Sequence, residues 1–523
     1  MIPAVRLFVC LALSLQSGIA LAQSAFDTII DDTIQRYQLP GIAVGVIENG
    51  KIVHKRTAGE LVAGSGKKID TDTLFKIASN SKAMTSAVLA RLVDAGKLKW
   101  DDPVVKHLPQ FRMHDPWVTQ QMQVRDLLIH NSGLGAGAGD LMLWPEPNLF
   151  TRADVIHGLR HLKPLHSFRS RYAYDNTLYI VAGEVAAAAA NIPYEELVRR
   201  ELFVPLGMSR CQVGQWRRDA VGNVAQPHMR LAGRSVVIRA DSELVPAIPM
   251  AAAGGIRCSL DDMLTWVRMW LDPERHGLVD GKPWLSNAQR DALWTAHMPM
   301  PLTPRMRERD GSHFSAYGYG WRLTDVDGTL KVSHTGTLAG MYSAVVLLPE
   351  KKASFVLLIN ADADEARTVL TQVLVKHFTA PGERHTVAGV ADLLAKERVE
   401  DEAKPDPLVA ARDRSTVAAA ELGAKLGRYR DPWFGEVAIC PHERGVRFAA
   451  AKSPKLTGRV MRAGGRLLVE WDEADVDAEA WLDFAGAAQA PATLVMAKVD
   501  PDADFSYDYE DLAFTRIGAC TAR

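Results

Sequence analysis

Phe26, Ile29, Ile30, Ile34 and Tyr37 recur at helical spacing, which predicts an amphipathic helix over 26–38. Pro40 and Gly41 break it. Residues 42–47 form an apolar, strand-like run, Asn49-Gly50 is a hairpin turn, and Ile52-Val53 starts the return strand. Residues 73–77 again read as strand. From Ser79 to about Ala95 the pattern turns helical, with Met84, Val88, Leu89, Leu92 and Val93 as its apolar set and Gly96 as its C-terminal glycine. Helical patterns follow at Val124–Leu128, 177–189, 194–202 and 261–271, the last behind Ser259 as N-cap. Strands return near residue 317, at 330–333, 342–348 and 354–359, and 363–378 reads as a closing helix. The late strands are expected to join the first hairpin in one antiparallel sheet flanked by helices, an α+β architecture with an inserted helical subdomain.

Beyond residue 380 the character changes. Residues 381–418 are charged, with Glu397 to Lys404 and Pro405-Asp406-Pro407 in the middle, and read as a linker with helical stretches. Residues 419–517 carry short strand patterns at 437–439, 446–449, 467–471, 480–484 and 493–499, separated by turn residues, which predicts a small all-β barrel or sandwich. Trp433, Phe434, Trp471, Trp481 and Phe484 suit its core. Trp433-Phe434, beside Gly435, have a second reading as a loop that approaches a catalytic cleft.

Composition narrows the class. The chain has 523 residues, 47% hydrophobic and 24% charged, with a formal net charge of -1. That excludes a disordered chain and gives no bulk attraction to nucleic acid or an anionic membrane. Arg6, an apolar run over 7–15, and Ala20-Leu21-Ala22 before Gln23 make 1–22 a secretory signal peptide, so a periplasmic or secreted protein without a membrane span after signal removal is expected. An uncleaved anchor is the competing reading. Cys211, Cys258, Cys440 and Cys520 remain after Cys10 leaves with the signal. Four cysteines allow three pairings; Cys211–Cys258 and Cys440–Cys520 are preferred because each lies within one expected domain. No close cysteine pair or zinc helix appears, so neither metal nor other cofactor is expected. The expected domains are a hydrolase domain over 23–380, the linker 381–418 and the β domain 419–517.

Three short motifs carry chemistry. Ser79-Asn80-Ser81-Lys82 opens an apolar helix, so Lys82 is one turn from the Ser79 hydroxyl. The helix start favours an alkoxide and the oxyanion that follows, and a lysine buried among apolar neighbours accepts a proton more readily. A second Ser-x-x-Lys, Ser65 to Lys68, lies in a polar loop and reads as chance. Tyr174-Asp175-Asn176 stands just before the 177–189 helix, flanked by Arg169 and Arg171, where cations favour a phenolate. His334-Thr335-Gly336-Thr337 is expected at the end of the 330–333 strand, with Gly336 admitting a close backbone approach.

In this order, the motifs resemble those of the serine β-lactamase and penicillin-recognising DD-peptidase superfamily, on the branch near class C enzymes, D-aminopeptidases and related esterases. The resemblance covers roughly 25–380, with support from Val124 to Leu134 and Gly254 to Ser259. Residues 419–517 are similar to the lipocalin-like domain often appended to such hydrolases, beginning at Leu426-Gly427-Arg428-Tyr429. The resemblance implies Ser79 as nucleophile and Lys82 and Tyr174 as general base and acid. It implies that Asn176 orients the lysine or a substrate amide, and that His334 and Thr335 line the pocket. The N–H groups of Ser79 and Thr337 would form the oxyanion hole. One departure stands out: His334 replaces the usual lysine, which weakens the expected affinity for a substrate carboxylate.

The expected function is therefore an exported serine hydrolase acting on small-molecule or peptide substrates: D-amino-acid peptides, cell-wall fragments, carboxylic esters or β-lactams. The alternative is a penicillin-recognising sensor with slow or no deacylation. An α/β-hydrolase is disfavoured, because no Gly-x-Ser-x-Gly elbow is present. His130 and His228 are read as structural hydrogen-bonders.

Overall fold

The computed structural model describes residues 25–402, 408–443, 445–487 and 490–520. The segment 1–22 expected to be a signal peptide and the Pro405-Asp406-Pro407 stretch of the expected linker lie outside the described residues. The chain forms two compact units: one comprises residues up to Gly96, Tyr194–Ala247 and Gly254–Val399, the other Lys97–Pro193, Ile248–Ala253 and the chain from Glu400 on.

The first unit is built on an antiparallel sheet of eight strands: β1 (Gly41–Glu48), β2 (Lys51–Gly59), β3 (Met298–Pro299), β4 (Ser315–Tyr317), β5 (Arg322–Val326), β6 (Thr329–Leu338), β7 (Met341–Leu348) and β8 (Ala353–Ile359). Their order is β3-β4-β5-β6-β7-β8-β1-β2, so the first hairpin does join the late strands. The apolar run of β1 is buried on both faces. Ile42, Val44 and Val46 point into a cluster with Phe26 and Ile30 of the helix over 25–37. Leu370 and Leu374 of α4 (Asp364–Thr379) complete that cluster. On the other face α3 (Leu260–Leu271) lies so close that a Cβ on Gly45 would come 2.8 Å from Leu264. That face leaves no room for a side chain at Gly45. Much of the segment expected as linker is ordered: α5 (Val387–Glu402) buries Val387, Val390 and Ala391 against Val369 and Val373 of α4.

The second unit contains α2 (Thr177–Ala190), short helical turns before it, and a β-barrel. Eight strands close the barrel: β10 (Gly427–Asp431), β11 (Gly435–His442), β12 (Gly445–Ala450), β13 (Thr457–Ala463), β14 (Arg466–Trp471), β15 (Ala480–Ala487), β16 (Ala490–Lys498) and β17 (Ala513–Gly518). Closure is through the β13–β14 pair, which removes open edges. β9 (Arg414–Thr416), from within the expected linker, extends the ladder along β13 at Met461 to Ala463. Trp433 and Phe434 do not form an open loop. Both are buried, Phe434 with its ring 5.6 Å from Phe150, and Leu149 N–H donates to Lys452 O at 2.7 Å nearby. The barrel thus packs on the turns over 142–161 through the side chains that suited a core.

Cys211–Cys258 and Cys440–Cys520 are disulfides, one inside each unit. Crosslinks closing loops of this length are each worth roughly 2–4 kcal/mol, mainly by restricting the unfolded chain. Among the described residues no helix is long and apolar enough to cross a membrane.

Candidate active site

The Ser79 region is held from three sides. Phe75 and Lys76 pair with Cys258 and Arg257, and Ile77 N–H donates to Ile256 O at 3.1 Å. The chain then reverses at Ala78, which adopts φ +48°, a left-handed conformation costing an L-residue about 1–2 kcal/mol. Ser343 Oγ donates to Ile77 O and accepts from Asn80 Nδ2, both at 2.8 Å, which holds the reversed segment against β7. Ser79 follows in a 3-10 turn (Ala78–Asn80) that runs into α1 (Ser81–Asp94). The expected single helix from Ser79 therefore starts as a tighter turn, because its first residues are fixed by Ser343 rather than by helical bonds.

That geometry sets the pair. Ser79 is half-buried, Lys82 is completely buried, and Lys82 Nζ lies 3.2 Å from Ser79 Oγ as its donor. The rival Ser65 is exposed, and Lys68 there bridges to Glu60 at 3.0 Å.

The His334 motif departs from expectation in one respect. It does not end a strand; β6 runs through it to Leu338. Gly336 makes this passage, since a Cβ there would stand 2.2 Å from Ile77 O and 2.4 Å from Ser343 Oγ. The side chains alternate along β6. His334 Nδ1 donates to Thr335 O at 2.7 Å, so Nε2 is left to accept the Tyr317 hydroxyl at 2.8 Å. This is the neutral ring. Burial first, then the charges of Arg322 and Lys82, push its pKa well below the ordinary 6.5. Positive charge is supplied instead by neighbours: Arg322 donates to Thr335 Oγ1 at 2.8 Å, and Arg367 donates to Gly336 O at 2.9 Å and Thr337 Oγ1 at 2.7 Å. Thr337 itself is exposed.

Tyr317, Arg322 and Arg367 were not among the sequence candidates. A signal existed for one of them. Asp327-Gly328 is a two-residue hairpin signal that fixes Arg322 opposite Ser333, on the same face as Thr335. Arg367 comes from α4, about thirty residues on, with nothing local to mark it.

Tyr174 and Asn176 belong to the second unit. Tyr174 lies just before α2, its ring 4.3 Å from His130 and 5.8 Å, edge-on, from Phe505 of the segment between β16 and β17. Its carbonyl accepts the Gly137 N–H at 2.8 Å. Asp175 N–H donates to His130 Nδ1 at 3.1 Å, so that nitrogen carries no proton and the histidine acts as a structural acceptor. His228 is likewise structural, donating to Asn360 O and accepting from Ala63 N–H. Asn176 Nδ2 donates to Asp140 Oδ2 at 2.8 Å, which also accepts from Ser506 Oγ at 3.0 Å. The amide is thereby assigned: its NH2 faces Asp140 and its oxygen is turned the other way.

A family model described as Beta-lactamase matches residues 26–378. The chain belongs to the beta-lactamase family. The match spans Ser79, Tyr174 and His334 together. Protein flp of Staphylococcus aureus is 24% identical over 348 residues, covering 66% of this chain and 64% of that protein. Penicillin-binding protein 4 of Amycolatopsis lactamdurans is 26% identical over 346 residues, 65% of this chain and 84% of that one. The chain thus spans just under two thirds of the flp protein's length. The octameric penicillin-binding protein homologue from Pyrococcus abyssi superposes with a TM-score of 0.58 at 17% identity, over 94% of this chain and 99% of that one. This likeness extends past the family model to the barrel region, and at that identity it concerns the fold.

Proposed function

We propose that this beta-lactamase-family protein is an exported serine hydrolase that forms an acyl-enzyme on Ser79. One observation carries the reading: a fully buried lysine amine 3.2 Å from a half-exposed serine hydroxyl at the start of an apolar helix. Lys82 and Tyr174 move the proton from Ser79 to the leaving group. The N–H groups of Ser79 and Thr337 receive the oxyanion, and Asn176 presents its oxygen to the lysine or a substrate amide. Water then releases the acyl group by the same proton route.

The substrates are small amides or esters: D-amino-acid peptides, cell-wall fragments, carboxylic esters or β-lactams. Neutral His334 draws in no carboxylate. Arg322, bound to Thr335, and Arg367, bound to Thr337, provide that charge from the neighbouring strand and helix. A substrate with a free carboxylate is therefore received by arginine–threonine pairs rather than by a lysine. The class C-like branch and the lipocalin-like identity of the barrel belong to the same proposal.

Ser79→Ala is expected to abolish turnover of D-alanyl amides and nitrophenyl esters, and to abolish labelling by a fluorophosphonate seen by intact mass. Retained turnover in that variant removes Ser79 as nucleophile. A stable penicilloyl adduct without product release would instead favour a sensor.

A further inference from the structure

The segment between β16 and β17 is not a passive connection. Phe505 packs its ring edge-on to Tyr174 at 5.8 Å. Its backbone presses on the 137–139 turn, where a Cβ on Gly137 would lie 2.4 Å from Phe505 O, and Gly137 takes φ +73°. The N–H of that same Gly137 donates to Tyr174 O at 2.8 Å. Ser506 Oγ donates to Asp140 Oδ2 at 3.0 Å, the oxygen that also accepts Asn176 Nδ2. Asp508 is buried beneath the turn and accepts the N–H groups of Gly139 at 2.5 Å and Leu141 at 3.0 Å. Phe505 thus touches Tyr174 directly and Ser506 reaches Asn176 through Asp140, while Asp508 holds the turn that carries Asp140.

We propose that the barrel is a working part of the tyrosine–asparagine half of the active site, with Phe505 and Ser506 as positioning residues for Tyr174 and Asn176. Phe505 limits the swing of the phenol directly. Ser506 acts through Asp140: by sharing its oxygen, it fixes where that carboxylate points and hence which way the Asn176 amide faces. A carboxylate held by two donors is better fixed than one held by a single amide. Asp508 fastens the loop to the turn that carries Asp140. This inference rests on the hydrolase reading for its kinetic consequences, but not for its structural ones.

The test uses the full-length protein with Phe505→Ala, Phe505→Leu, Ser506→Ala and Ser506→Thr. Each alanine variant is expected to lower kcat/KM on a nitrophenyl ester by about threefold to tenfold, mainly through kcat, as expected for one lost contact of this kind. Ser506→Thr, which keeps the hydroxyl, is expected to restore the rate, and Phe505→Leu to restore part of it. Hydrogen exchange at the Gly137 amide is expected to quicken in Phe505→Ala. Wild-type kcat, KM and exchange in both alanine variants overturn the proposal, as does a loss of thermal stability alone with kcat/KM unchanged. Should the wild-type chain never label at Ser79, the hydrolase reading fails by itself, and exchange at Gly137 and across 172–177 decides the positioning role.

Discussion

The two halves of the proposed catalytic equipment are built in opposite ways. The Ser79–Lys82 half is local: three residues of one turn bring hydroxyl and amine to 3.2 Å, and β6 and β7 brace that turn through Gly336 and Ser343. The Tyr174–Asn176 half is assembled from segments distant in sequence. Asn176 is set by Asp140, and Asp140 by Ser506, 366 residues further along. The spacing of the proposed nucleophile and base is set by a tight turn leading into α1 and by the brace from Ser343. The groups proposed to meet a substrate are braced by the loop between β16 and β17 of the barrel, which lies in the same compact unit. On the proposed roles, a C-terminal barrel tunes a site without contributing to its motif.

The largest effect should come from the local half. Lys82→Met replaces the buried amine by an apolar chain of similar length, so the fold is expected to survive. Loss of a general base costs about 10²–10⁴-fold in rate. Acylation of Ser79 followed by stopped-flow mass labelling is expected to fall by that factor. A fall of less than about tenfold would assign the proton transfer to other groups.

Next come two glycines that test the halves against each other. Gly336→Ala places a methyl 2.2 Å from Ile77 O, just ahead of Ser79. Gly137→Ala places one 2.4 Å from Phe505 O, at a left-handed backbone position. Backbone cannot swing aside as a side chain does, so each should destabilise by about 1–3 kcal/mol. The expected consequences differ. Gly336→Ala should suppress fluorophosphonate labelling of Ser79 itself. Gly137→Ala should leave labelling by that small, strongly reactive probe nearly intact, yet depress turnover of a D-alanyl amide and shift its pH profile. Equal losses of labelling in both variants would erase the distinction between a local and an assembled half.

What was legible in the sequence follows the same division. The hairpin Asn49-Gly50, the doubly buried run of β1, the Ser79–Lys82 helix and the barrel region each declare themselves through periodicity over a few residues. The cysteine pairs followed from domain membership alone. The course of β6 did not: a glycine inside a strand reads as a turn until the backbone it must pass, Ile77, is known. Nor did the role of residues 505–508, since Phe505, Ser506 and Asp508 look like ordinary loop residues, and only tertiary packing sets them against residues near 140 and 174. Trp433 and Phe434 had the stronger aromatic signal, but that signal marks burial, and burial is what they do.

The smallest expected effect concerns Asp508, and it separates fastening from chemistry. Burial, followed by the negative charges of Asp140 and Asp511, raises its pKa well above the ordinary 3.8. The folded state therefore favours the protonated acid. The sign follows: the stability linked to this group is fully present below the unfolded value and is lost as pH rises through the raised one. Ionised Asp508 faces Asp140 without a dielectric shield, which strains the attachment of the loop to the 139–141 turn. Asp508→Asn cannot ionise and keeps an oxygen acceptor for one of the two N–H groups, since in the wild-type chain Gly139 and Leu141 each use a different carboxylate oxygen. As pH rises through the raised value, the wild-type melting temperature should drift down relative to this variant, with the variant the flatter of the two. Turnover in Asp508→Asn should depend on pH less than that of wild type, whose loop loosens as Asp508 ionises. A parallel pH response in both proteins would remove Asp508 as the fastening, and would leave Phe505 and Ser506 to hold the loop by themselves.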